Sequence, residues 1–124
     1  MFVEPVKEYR FESAHLLPNV PPGHKCQRLH GHSFRMEITV SGPVDPRTGW
    51  FIDFGVLDEV VGPLVARLDH HYLNEIEGLD NPTSEVLVRW LFDHIKPGLP
   101  SLQAVTLWET HDARCTYRGE AWRP

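Results

Sequence analysis

Ser33-Phe-Arg-Met-Glu-Ile-Thr-Val40 alternates without a break, with Phe34, Met36, Ile38 and Val40 apolar and Arg35, Glu37 and Thr39 polar between them. Strict alternation belongs to a strand with one face on a core and the other toward water, as in an antiparallel sheet. Working outward, residues 2–15 alternate in part, with Tyr9, Phe11 and Ser13 on one side and Arg10 and Glu12 on the other, which predicts a partner strand. After a Gly- and Pro-containing loop at 42–49 and a short extended piece at 49–54, Asp53 is placed to cap a helix. Leu57, Val60, Val61, Leu64 and Leu68 follow at helical spacing, with Pro63 expected to kink that helix. Thr83 is a second helix cap, Glu85 suits the first turn, and Leu87, Trp90, Leu91, His94 and Ile95 form an apolar stripe that Pro97 and Gly98 end. Val105 and Leu107 alternate with Thr106 and Trp108, and residues 113–117 make a last short strand. The order ββααββ predicts an α+β fold: a four-stranded antiparallel sheet with two helices on one face.

The chain has 124 residues, one domain's worth, taken as a single unit over 1–124. A net charge of -5 argues against nucleic acid as the main partner, because phosphate backbones call for a basic face. No apolar run is long enough to span a membrane. Residues 1–10 carry scattered charges and no apolar stretch of the secretory kind. Cys26 and Cys115 are therefore expected to be reduced thiols of a cytoplasmic protein.

Chemistry concentrates in Cys26-Gln-Arg-Leu-His30-Gly-His32. Residues two apart on a strand share a face at roughly 7 Å, so His30 and His32 can converge on one metal ion. Gly31 between them would permit close backbone approach. Three protein ligands with one open position is the catalytic zinc pattern, and His15 at the end of the first strand is the best-placed third ligand. An isolated His-Gly-His is as readily a pair of surface histidines. Cys26 is open to three readings: a fourth ligand, a buried small hydrophobe, or a thiol that ionises readily beside a dication and serves as a base. His24, Lys25 and Arg28 add positive charge that could attract phosphate groups, or form a solvated loop. In Leu68-Asp69-His70-His71, the aspartate can orient an imidazole for proton transfer, although metal ligation and plain loop roles compete. Glu109 closes the third main strand and could hold a ring edge through two hydrogen bonds or sit in solvent. His94 reads as a packed histidine, and His111 has no assignment.

Phe11-Glu-Ser-Ala-His15, Gly23-His-Lys-Cys26-Gln-Arg-Leu-His30-Gly-His32, Gly49-Trp-Phe-Ile-Asp53, Leu68-Asp69-His70-His71-Tyr-Leu-Asn74, Asn81-Pro-Thr83-Ser84-Glu85 and Glu109-Thr110 occur in this order. Together they resemble the 6-pyruvoyl-tetrahydropterin synthase superfamily, and within it the bacterial 6-carboxy-tetrahydropterin synthases of queuosine biosynthesis. The resemblance implies the tunnelling fold, with trimers closing a barrel and pairing into a homohexamer whose active sites lie between subunits. It implies a lyase acting on 7,8-dihydroneopterin triphosphate and yielding 6-carboxy-5,6,7,8-tetrahydropterin, acetaldehyde and triphosphate. Carried across residue by residue, it makes His15, His30 and His32 ligands of Zn2+ and Cys26 the proton-abstracting group. Asp69 and His70 complete the relay, and Glu109 grips the pterin with help from Thr83 and Ser84. A 6-pyruvoyl synthase on the same substrate, or a zinc-stabilised binding module with Cys26 as fourth ligand, are the alternatives.

Overall fold

The period-two stretch at 33–40 becomes the middle of the sheet. In the computed structural model, which describes residues 1–124, the chain runs β1 (Phe2–Val3), β2 (Val6–His15), β3 (His30–Val40), β4 (Gly42–Pro43), α1 (Phe54–Leu68), β5 (His71–Tyr72), α2 (Ser84–Ile95), β6 (Leu102–Thr110) and β7 (Ala113–Tyr117). The main sheet has the order β5-β2-β3-β6-β7, and β1 pairs with β4 in a separate two-stranded ribbon.

The α+β class and the two helices are as expected; the four-strand count is corrected to five. The fifth strand is β5, two residues that pair parallel to β2 (Ser13 with His71, Ala14 with Tyr72) while every other pairing is antiparallel. A two-residue strand has no periodicity to read, so its pairing had no signature in the sequence. The strand expected over 2–15 is also divided at Glu4 and Pro5. Pro63 lies inside an uninterrupted α1, and both it and Glu59, whose carbonyl lacks an intrahelical partner, are exposed to water.

Both helices start where their caps predict. Asp53 accepts the Gly55 N–H at 2.9 Å, and Thr83 accepts the Val86 N–H at 3.1 Å. Leu57, Val61, Leu64 and Leu68 of α1 are buried, as are Leu87, Leu91 and Ile95 of α2. They cover one face of the sheet, where Phe11, Phe34, Met36, Ile38, Val105 and Leu107 are buried and Phe11 stacks on Phe34 at 5.0 Å.

Strand parity then decides where the chemistry sits. Continuing the inward-facing set of β3 past Phe34 gives His32 and His30. On β2 the set passes from Phe11 through Ser13 to His15, and on β6 from Leu107 to Glu109. The core face thus runs on, at one end of the sheet, into three histidines and a carboxylate.

Candidate metal centre and active site

His15 and His30 are directly opposed across the β2–β3 ladder, and His32 is two residues further along the same face. The three rings are mutually edge-on, with centroids 4.6, 5.1 and 4.9 Å apart. His15 has no exposed surface, and its Nδ1 lies 2.9 Å from the Pro82 carbonyl oxygen. The Nδ1 of His30 lies 2.7 Å from the Arg28 carbonyl oxygen. A carbonyl can only accept, so in both rings Nδ1 carries the proton and Nε2 of the neutral ring presents a lone pair.

The lone pair of His15 has no protein donor to meet. The Nε2 atoms of His15 and His32 are buried without a hydrogen-bond partner. They stand 3.2 and 3.0 Å from Oε1 of Glu109, in angles that make no hydrogen bond. A lone pair facing a carboxylate oxygen is repulsive unless a cation or a proton lies between them. Donor atoms of His15, His30, His32 and Glu109 all fall within 4.8 Å of one another. This group of three imidazoles and one carboxylate can hold a divalent metal ion, and its donor chemistry suits zinc.

Charge at the site is consistent with that use. Burial pushes the His32 imidazole below its ordinary range, with the Glu109 charge opposing and His15 and His30 adding to the shift. Glu109 is held below the ordinary carboxylate range, to about 2, by a proton shared with His15 and by the Ser84 hydroxyl and His32, against its own burial. With the His15 proton on Nδ1, the first of these acts only when a proton or a cation lies between the ring and the carboxylate. Ser84, in the first turn of α2, donates to Oε2 of Glu109 at 2.9 Å. Segment 82–84 therefore braces two members of the cluster, His15 through Pro82 and Glu109 through Ser84.

Cys26 is outside the donor set but beside it. It is half-buried in a 3-10 turn over Lys25–Gln27 and lines a cavity of about 440 Å³ with Lys25, His30, Gly31, His32, Glu109 and Thr110. Its loop is tied at several points. The Leu17 N–H donates to the Cys26 carbonyl at 2.7 Å, the Cys26 N–H donates to Nδ1 of His24 at 3.0 Å, and the Gly23 N–H donates to Gln27 at 3.2 Å. His24 thus orients the cysteine backbone.

Asp69 and His70 form a pair of their own. Oδ1 of Asp69 accepts the Glu12 N–H at 2.8 Å, and Oδ2 lies 3.0 Å from Nδ1 of His70. The Glu12 N–H, followed by His70, keeps the Asp69 carboxyl below its ordinary range. The His70 N–H donates to the Glu12 carbonyl at 2.5 Å, and His70 is the one non-glycine residue at positive φ, 58°. A β-substituted residue held there carries strain of the kind found at functional positions. His70 opens on a second cavity, of about 500 Å³, with Glu12, Ser13, His32, Ser33 and Tyr72. Within one chain Cys26 and His70 do not share a cavity.

Other expectations are adjusted. A Cβ built on Gly31 would meet only the Ser13 carbonyl oxygen at 3.5 Å, an ordinary contact, so close backbone approach is not what a glycine provides there. Thr83 uses its hydroxyl to cap α2. His94 is exposed but stacks on Trp90 at 4.0 Å. His71 is exposed, with Nδ1 2.8 Å from the Asp69 carbonyl oxygen. His111 is exposed and lines a cavity on the polar sheet face with Arg10, Arg35 and Trp108. Cys115 is half-buried against the core, its thiol pushed up by burial and then by Glu85. The place of Glu109 among the histidines was missed; its parity with Leu107 was the available signal. The carbonyls of Pro82 and Arg28 had no signal at all. No helix is long and apolar enough to cross a membrane.

A family model described as 6-pyruvoyl tetrahydropterin synthase matches residues 5–120. A 6-carboxy-5,6,7,8-tetrahydropterin synthase of Synechocystis sp. is 42% identical, over 90% of this chain and 89% of its own. A dihydroneopterin monophosphate aldolase of Pyrococcus furiosus is 38% identical, over 69% of this chain and 75% of its own. Among solved structures, Caenorhabditis elegans 6-pyruvoyl tetrahydropterin synthase superposes with a TM-score of 0.89 at 25% identity, covering 97% of each chain.

Proposed function

From membership of the 6-pyruvoyl tetrahydropterin synthase family, to which this chain belongs, we infer that it is a zinc-dependent carbon–carbon lyase. It converts 7,8-dihydroneopterin triphosphate and one water to 6-carboxy-5,6,7,8-tetrahydropterin, acetaldehyde and triphosphate, in queuosine biosynthesis in the cytoplasm. The observation that carries this reading is one cavity in which Cys26 stands beside His30, His32 and Glu109, whose donor atoms converge with that of the buried His15. Relatives named 6-carboxy-5,6,7,8-tetrahydropterin synthase support the choice of product.

His15, His30 and His32 would hold the zinc. When bound, it supplies Lewis-acid polarisation of the substrate's side-chain hydroxyls. Cys26 takes the proton from the neighbouring side-chain carbon. His70, its Nδ1 turned toward Asp69, keeps Nε2 free to receive and return protons. Glu109 orients the pterin ring, with the Ser84 hydroxyl fixing the carboxylate and Thr83 fixing the start of α2. Cys26 and His70 line adjoining cavities that share Gly31 and His32, and the family resemblance, which sets active sites between subunits, has the relay completed by a second copy. This supports a homo-oligomer, a hexamer built as a dimer of trimers. Closure between subunits would also cover β5 and β7, the open edges of the sheet.

Incubation with 7,8-dihydroneopterin triphosphate, with zinc content measured alongside, should release acetaldehyde. A 6-pyruvoyl product with no acetaldehyde would overturn the reading in favour of the sister reaction, to which a 6-pyruvoyl tetrahydrobiopterin synthase of Drosophila melanogaster, 36% identical over 77% of this chain, lends weight. Cys26→Ala should keep zinc and lose turnover. Loss of zinc instead would support a closed binding module with Cys26 as ligand.

A further inference from the structure

Glu109 sits where a metal-binding atom belongs, its carboxylate grouped with the donor atoms of the three histidines. A tetrahedron with metal–ligand bonds of roughly 2.0–2.1 Å has edges of about 3.3–3.4 Å. Oε1 of Glu109 is 3.2 Å from Nε2 of His15 and 3.0 Å from Nε2 of His32, close to that edge length. Neither contact has hydrogen-bond angles, although both imidazole nitrogens are fully buried. His15 has its only proton committed to the Pro82 carbonyl. The carboxylate is also aimed from outside the cluster: Oε2 receives the Ser84 hydroxyl at 2.9 Å, which turns Oε1 toward the rings.

We propose that in the substrate-free enzyme Glu109 is the fourth ligand of the metal held by His15, His30 and His32, and that an arriving pterin displaces it. On substrate binding Glu109 would yield its place toward the metal to a side-chain hydroxyl oxygen of the substrate. The freed carboxylate, still held through Ser84, turns to the ring N–H groups of the pterin. One residue thereby couples recognition of the pterin to opening of the metal, so that the coordination position stays shut to water and to adventitious ligands until substrate is present. The inference rests on the zinc reading above, and its test separates the two.

Zinc affinity is measured by chelator competition for the wild-type protein, Glu109→Gln, Glu109→Ala and His30→Ala, with circular dichroism as the control for folding. The zinc-loaded, substrate-free wild type is crystallised. Glu109→Ala should bind zinc ~10–100-fold more weakly, the range over which support of a metal site is felt. The crystal should show Oε1 about 2.0–2.2 Å from zinc. Soaking 7,8-dihydroneopterin into those crystals should move Oε1 off the metal. Unchanged affinity in Glu109→Ala overturns the proposal, and so does a weaker affinity without a direct bond, which would make Glu109 an electrostatic neighbour only. Retention of the bond with the pterin bound overturns the displacement step. Failure of wild-type protein to bind zinc, or indifference of zinc binding to His30→Ala, would instead overturn the zinc reading itself.

Discussion

Replacing Asp69 by asparagine tests the proton relay with little disturbance of the fold. Oδ1 of Asp69 accepts the Glu12 N–H at 2.8 Å, and an amide oxygen can keep that bond. The amide nitrogen must then take the place of Oδ2, 3.0 Å from Nδ1 of His70. An amide nitrogen only donates, so Nδ1 of His70 has to accept, and the single proton of the neutral ring moves to Nε2. The reverse amide orientation would point a donor at the Glu12 N–H and is disfavoured. His70 would keep its position and lose its basic nitrogen. A general base contributes ~10²–10⁴ in rate, and a wrong imidazole tautomer behind an aspartate-to-asparagine change falls in the same range, so kcat should drop by ~10²–10⁴. KM should stay within about threefold, because Asp69 positions the imidazole and not the substrate. The thermal midpoint should barely move, since the side chains are 40% and 77% exposed. Initial rates of acetaldehyde release across a substrate series, with a melting curve, measure all three. A variant with kcat within about threefold of wild type would refute the relay, because an unpaired Nε2–H cannot serve as the base.

His70→Gly should abolish turnover yet leave stability equal or raised by up to ~1 kcal/mol in urea unfolding, because glycine relieves the left-handed backbone at φ 58°. Gly42→Ala, far from the site, should cost ~1–3 kcal/mol in the same assay, since a Cβ there would fall 2.0 Å from the Phe51 ring. Acidification should release the metal through the histidines and not through Glu109. Burial makes His32 resist protonation more than a free imidazole, and Glu109 is held down to about 2, so zinc should be lost as the histidines protonate and well before Glu109 does. A colorimetric chelator titrated against pH reads this. The sign for metal-free stability is the same. A ring that resists protonation in the fold contributes stability above the ordinary histidine range, and that contribution is lost as pH falls below it.

Much of the fold was legible because its elements are written in local periodicity. The alternation at 33–40, the stripes from Leu57 and Leu87, and the caps Asp53 and Thr83 each need only neighbours along the chain. The pair His30 and His32 was legible for the same reason, since their common face follows from strand geometry alone. His15 could be named by position and family likeness, but its partnership became definite only in the register that sets it against His30. The two-residue β5 and its parallel pairing left no trace in the pattern, because pairing of so short a segment depends on where α1 delivers it.

Local pattern along the chain sets the elements, the inward face of each strand and the donor types available at the end of the sheet. Which donors meet was decided by tertiary structure alone. The segment before α2 brings the Pro82 carbonyl to His15 and the Ser84 hydroxyl to Glu109, across separations of 67 and 25 residues. Those contacts choose the histidine tautomer and aim the carboxylate into the metal cluster. Hydrogen-bond direction at a site is set by groups distant in the chain, and no local period encodes their approach.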